Sequence, residues 1–154
     1  FYVEGVSRAL THELIRHRHL SYSELSQRYV DVKDADIVVP PAMRELNDEF
    51  LFEEFLANLN DDRKMYTKLV DRMTEFGLSR KKAREAARAV MPNMIETKIV
   101  VTGNMRAWRD MLKKRWHVAA DAEIREFAGE ILRQLHEIAP NSFQDIPYEP
   151  YGDA

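Results

Sequence analysis

The chain opens with alternating apolar and polar positions, FYVEGVSR, and then changes period. The alternation predicts a strand over residues 1–8. Leu10, Leu14 and Ile15 in RALTHELIRH predict a helix with one apolar side, and Ser7 stands where a cap belongs. His12 and Arg16, four apart, would share a face of that helix. From Arg18 to Tyr29 no period is sustained, which predicts an irregular loop with room for a short helical turn. DIVVPP predicts a short strand stopped by Pro40 and Pro41.

A long helical region follows from Glu45 to Glu75. Phe52, Phe55, Leu56 and Leu59 form a stripe that Met65, Leu69 and Met73 continue. Gly77 ends it, Ser79 caps a second helix over Arg80–Val90, and Pro92 stops that helix. The β-branched run ETKIVVTG predicts a strand. Asn104 starts a helix to Trp116, and Asp121 caps a last one to Ile138. The expected organisation is one domain over 1–140 followed by an extended C-terminal tail over 141–154. Strands interspersed with helices, without strict βαβ order, point to an α+β fold.

Length changes this picture little: 154 residues suit one ordinary domain. The absence of cysteine removes disulfides, zinc thiolate sites and cysteine nucleophiles. No run approaches the roughly 18 apolar residues of a membrane span. Glu4, Arg8 and His12 interrupt any signal-peptide pattern at the start, which points to a cytoplasmic protein with no membrane partner. Net charge is −3, yet SRKKAREAAR and RAWRDMLKKR are strongly basic while Arg44–Asp62 is acidic. Local basic clusters on a mildly acidic chain suit small anionic ligands better than a nucleic-acid footprint.

Three clusters carry candidate chemistry. RHRHLSYSELSQRY packs arginine forks, short serine donors and Glu24 into one stretch, a set able to grip a nucleotide. Taken alone it reads equally well as a helix end and a polar loop. His12, His17 and His19 show no familiar ligand spacing with Glu13 or Glu24, and no metal is expected. In the second cluster Lys81, Arg84 and Arg88 line one side of a helix, a face for phosphates or a solvated basic face. In the third, Gly103 and Asn104 sit at a helix start that favours an anion. Met105, Trp108 and Leu112 form its apolar stripe. Arg115 falls beside that stripe, so its guanidinium either finds a partner or snorkels to water.

Several of these blocks together resemble the flavin-dependent thymidylate synthases, the ThyX family. The signature is Arg-His-Arg, seven residues, then Ser: here Arg16, His17, Arg18 and Ser26, continued by Gln27, Arg28 and Tyr29. AREAARAVMPN, ETKIVVTGNMRAW and the EIR of Glu123–Arg125 follow in order, and the resemblance extends to about Arg133. It implies a ThyX-like α+β fold with a small mixed or antiparallel sheet, a long helical region and active sites at subunit interfaces of a homotetramer. It implies FAD as cofactor, dUMP as substrate, and methylenetetrahydrofolate and NADPH as co-substrates in the reductive methylation of dUMP to dTMP. A cysteine-free chain is compatible with that route, since the other thymidylate synthase class needs a cysteine.

By the same resemblance Arg115 and Ser26 are the catalytic candidates, with Ser26 a donor rather than an obligatory nucleophile. Glu13, Arg16, Glu24, Ser26, Gln27, Arg28, Arg88 and Arg115 would contact dUMP, with Arg88 reaching the phosphate from another subunit. Arg16, His17, Arg18, Glu24, Asn104, Arg106 and Asp110 would contact FAD, and Arg8 and Lys81 match positive positions nearby. Three departures are expected to matter. Family members carry a further N-terminal segment, which implies that this chain is N-terminally incomplete. Ala119 stands where a histidine is frequent, with His117 two positions earlier. Asp110 stands where Asn or His is frequent, and its charge would need offsetting by Arg106 or Arg109. The alternatives are a fragment that folds and oligomerises without catalysis, or a basic-helix nucleic-acid-binding module.

Overall fold

The computed structural model describes residues 1–152 and is mixed α and β, with three strands and seven α-helices among them. The strands are β1 (Tyr2–Ser7), β2 (Ser21–Glu24) and β3 (Glu96–Thr102), hydrogen-bonded as a small antiparallel sheet in the order β1-β3-β2. Contacts divide the chain into two compact units. One comprises Phe1–Val3, Ala9–Ser23 and the chain from Val100 on; the other comprises Glu4–Arg8 and Glu24–Ile99.

The first unit holds α1 (Arg8–Leu14) apart from its first residue, α5 (Met105–Arg115), α6 (Ala122–Ile138) and α7 (Pro140–Phe143). Asn104 caps α5 as its spacing predicts, its side-chain oxygen accepting from the Ala107 N–H at 3.0 Å. Asp121 caps α6 in the same way through Glu123. The apolar positions of α5 that are buried are Ala107, Trp108, Met111 and Leu112, whereas Met105 is exposed. On α6, Ile124, Phe127, Ala128, Ile131, Leu132 and Leu135 form the buried side. Gly129 lies under the Trp116 ring, where a Cβ would come within 2.7 Å of an aromatic carbon.

The residues from 141 on depart from the expected extended run. Pro140–Phe143 is helical, and Phe143 and Ile146 are buried. Tyr151 pairs with the backbone of Trp116 and Val118 at 2.9 Å. The alternation of SFQDIPY is too short to signal these contacts, which depend on a surface supplied by α5 and α6. The last two positions of the expected tail lie outside the described residues.

The second unit is built on α3 (Glu49–Glu75) and α4 (Arg80–Ala87), with Val32, Tyr66 and Ala87 buried at its centre. Ser79 caps α4, which tightens into a 3₁₀ turn at Arg88–Val90 instead of running to Val90 as one α-helix. The long helical region begins earlier than expected and is broken. Pro41 starts α2 (Pro41–Leu46), where its missing N–H costs nothing. Asn47 then adopts a left-handed conformation and Asp48 caps α3. DIVVPP forms only an isolated bridge between Ile37 and Ile95, because its prolines remove donors that a longer ladder needs.

Two expectations fail for tertiary reasons. The loop predicted over Arg18–Tyr29 contains β2, whose polar sequence SYSE gives no alternation. Just beyond it, Leu25 donates to the Lys98 carbonyl at 2.8 Å, a partner far along the chain. The α3 stripe is real, yet Leu59 is its only fully buried member, and the other buried residue of the helix is Tyr66. Phe52 and Met65 remain exposed.

Candidate functional site

In the first unit three predicted residues converge at the C-terminal end of α5. Arg115 Nη1 donates to Glu13 Oε2 at 2.6 Å, and Arg115 Nε donates to His17 Nε2 at 3.0 Å. The Arg115 side chain is 18% exposed, so the partner expected for a half-buried guanidinium is a pair of groups from α1 and the turn after it. His17 is buried, and burial, then the Arg115 and Lys114 charges, push its pKa down to about 4. Its ring is therefore neutral at pH 7. Since Nε2 accepts from Arg115, the proton sits on Nδ1. Nδ1 is buried without a hydrogen-bond partner, and the Asp110 carboxylate lies 4.0 Å from it.

Asp110 is offset differently from the expectation. Arg109 is committed to Asp145 through two bonds of 2.7 and 2.6 Å, and its guanidinium holds the Asp145 carboxyl down to about 2. Lys114, one turn along α5, meets Asp110 at 2.8 Å and keeps its carboxyl below the usual range. The spacing of four between Asp110 and Lys114 was the available signal. Arg106 and Asp110 also line a cavity of about 510 Å³, together with Arg109, Lys113, His117, Ile146 and Tyr151. Ala119 is exposed and donates its N–H to His117 Nδ1 at 3.1 Å. Arg16, Arg18, Asn104 and Arg106 are exposed around this unit.

A further residue in this unit has no local signal in the sequence. The Tyr22 hydroxyl lies 2.6 Å from the Leu14 carbonyl and 2.9 Å from that of His17, so its single proton serves the turn that carries Arg16–Arg18. Burial pushes its phenol up to about 12.

The second unit holds the other predicted residues. Glu24 is paired with Arg8 at 3.1 Å. Ser26, half-buried, opens a turn in which its carbonyl accepts from the Tyr29 and Val30 N–H groups at 3.1 Å each. Gln27 is buried, and Arg28 faces Glu85 of α4 at 3.5 Å. The Lys81 ammonium stands 4.7 Å from the Tyr29 ring centre and holds that phenol below its usual pKa. Arg88 is exposed in the 3₁₀ turn and takes part in neither pair. Among the described residues no group of three or more His, Asp or Glu side chains is arranged to hold a metal ion, and no helix is long and apolar enough to cross a membrane.

Residues 1–141 match the family described as thymidylate synthase complementing protein. The chain belongs to that family. It is 57% identical over 155 aligned positions to a probable flavin-dependent thymidylate synthase of Mycobacterium phage D29, covering 99% of this chain and 66% of the relative. Its identity to the probable flavin-dependent thymidylate synthase of Mycobacterium phage L5 is 53%, over 99% of this chain and 63% of the relative. A flavin-dependent thymidylate synthase of Mycolicibacterium gilvum is 49% identical with the same coverage, 99% and 63%. The chain thus spans a little under two thirds of the length of these relatives.

Proposed function

We propose that the protein is a flavin-dependent thymidylate synthase that converts dUMP to dTMP with FAD, methylenetetrahydrofolate and NADPH. The observation that carries this reading is the fixed, half-buried Arg115, held by Glu13 and by a neutral His17. An arginine so held keeps its charge and its direction without rearranging. That suits it to stabilise negative charge developing at N3 of a uracil ring.

The residues of the first unit suit a flavin dinucleotide. The cavity beside Arg106 and Lys113 is cationic on one side, and the buried Nδ1–H of His17 lacks an acceptor. Arg16, His17, Arg18, Asn104, Arg106 and Asp110 are assigned to hold FAD there, and Glu13 and Arg16 to contact dUMP. When bound, FAD supplies the hydride that completes the methyl group. His17 acts as a donor from Nδ1, with Arg115 fixing its tautomer. Lys114 neutralises Asp110, which limits repulsion of a phosphate.

In the second unit we assign Ser26, Gln27 and Arg28 to dUMP, Ser26 as a hydrogen-bond donor and Arg28 as a cation for phosphate. Glu24 is assigned to both ligands, and its pairing with Arg8 fixes the direction of its acceptors. Arg88, exposed and uncommitted to the pairs named above, is assigned to the phosphate of dUMP bound to a neighbouring copy. The assembly is a homotetramer, in which the exposed apolar stripe of α3 is covered by other copies. The cytoplasm is the assigned compartment.

The test is the visible absorption spectrum of the purified protein with FAD, before and after dUMP. A flavin band that stays with the protein through gel filtration and shifts on adding dUMP supports the reading. Tritium release from labelled dUMP then tests turnover. A protein that takes up no FAD under any of these conditions overturns it.

A further inference from the structure

The turn from Ser26 to Val30 is closed by its own backbone, the Ser26 carbonyl accepting from the Tyr29 and Val30 N–H groups. It is gripped from α4. Arg84 Nη1 donates to the Tyr29 carbonyl at 2.9 Å, and Arg84 Nη2 donates to Asp31 Oδ2 at 3.0 Å. The other carboxylate oxygen of Asp31 accepts from the Lys33 N–H at 3.2 Å, so Asp31 is itself fixed to the chain that follows. The Arg84 side chain is 17% exposed, and a shielded, doubly hydrogen-bonded guanidinium is a stiff connector.

The same helix makes two weaker contacts to the turn, Lys81 over the Tyr29 ring and Glu85 to Arg28. Arg28 and Glu85 are both more than 40% exposed, so that pair is loose and its arginine can be surrendered to a ligand. Arg84 contrasts with it: the arginine is shielded and spans two acceptors. Arg84 therefore fixes the backbone from which Ser26, Gln27 and Arg28 project, while Arg28 stays exchangeable.

We propose that Arg84 is a positioning residue for nucleotide binding, acting by holding the Ser26–Asp31 turn in its binding geometry. This rests on the reading of Ser26, Gln27 and Arg28 as dUMP contacts. A lysine at position 84 keeps the charge but offers one point of donation and no planar fork. The turn then samples other geometries, and each must be reversed when the nucleotide binds.

The experiment titrates dUMP by calorimetry into the full chain loaded with FAD, for the parent protein, Arg84→Lys and Asp31→Asn. Asp31→Asn reaches the same contact from the turn, so a folding defect in one variant leaves the other informative. We expect dUMP to bind about tenfold more weakly to Arg84→Lys and about threefold more weakly to Asp31→Asn, which keeps one acceptor oxygen. FAD affinity should stay within about twofold in both, because general loosening would lower both affinities whereas a positioning role separates them. Unchanged dUMP affinity in both variants overturns the proposal, as does a parallel loss of FAD and dUMP binding. Failure of the parent protein to bind dUMP is a different result: it overturns the nucleotide reading of Ser26–Arg28 itself.

Discussion

Arg115 Nε donates to His17 Nε2, and that bond sets the chemistry of a histidine 98 residues away in the chain. Burial and the arginine charge keep the ring neutral, and the direction of donation puts its proton on Nδ1. The resemblance named both residues as functional. The structure shows that they work on each other.

Acid should destabilise the protein through His17. Its pKa is about 4 when folded against 6.5 for a free histidine. The unfolded chain therefore takes up a proton first as pH falls. The contribution is fully present above about pH 6.5, is lost progressively toward pH 4, and does not change further below that. The loss from this group should be at most about 3 kcal/mol. Denaturant unfolding at several pH values should show a flatter profile between pH 6.5 and 4 for His17→Gln than for the parent protein. Equal slopes would mean that His17 is not held neutral.

Removing Arg115 should separate catalysis from folding. Arg115→Ala should cut dTMP formation about a hundredfold or more, as expected for loss of a group that stabilises developing charge. Glu13 is partly exposed and can be resolvated, so the fold should survive. The His17 pKa should rise from about 4 but stay below 6.5, because desolvation, the largest cause, remains. Proton NMR titration of the His17 ring reads this directly. Normal turnover in the variant would refute the assigned role.

Lys114→Ala should weaken FAD binding several-fold by leaving Asp110 as an uncompensated carboxylate beside the cationic cavity. Adding Asp110→Asn should restore most of the affinity, since it removes the charge that Lys114 offsets. Fluorescence titration of FAD into the single and double variants decides this. A double variant no better than Lys114→Ala would mean that Lys114 acts on the flavin itself.

The α3 stripe should govern assembly. Phe52→Glu combined with Phe55→Glu places two charges on one apolar face of α3, where the two rings stack. If the proposed homotetramer forms through this face, light scattering should show the double variant as smaller species than the parent protein, with helix content by circular dichroism retained. A tetramer that persists in the double variant would place the interface elsewhere.

Much of this protein was legible from local pattern. The alternation of FYVEGVSR, the β-branched run of ETKIVVTG and the caps Ser79, Asn104 and Asp121 each act within a few residues, and each predicted element is present. The spaced motif from Arg16 to Ser26 likewise identified the family before any geometry was known. What tertiary structure alone decided are relations between distant segments. β2 exists because β3 offers it a backbone ladder, not because SYSE alternates. Arg109 was available for Asp110 until Asp145, 36 residues on, captured it. Arg115 could have snorkelled to water but instead found Glu13 and His17. Helix periods and caps are short-range and leave a trace in sequence. Desolvation and charge pairing depend on which groups the fold brings within a few ångströms, and no local pattern records that.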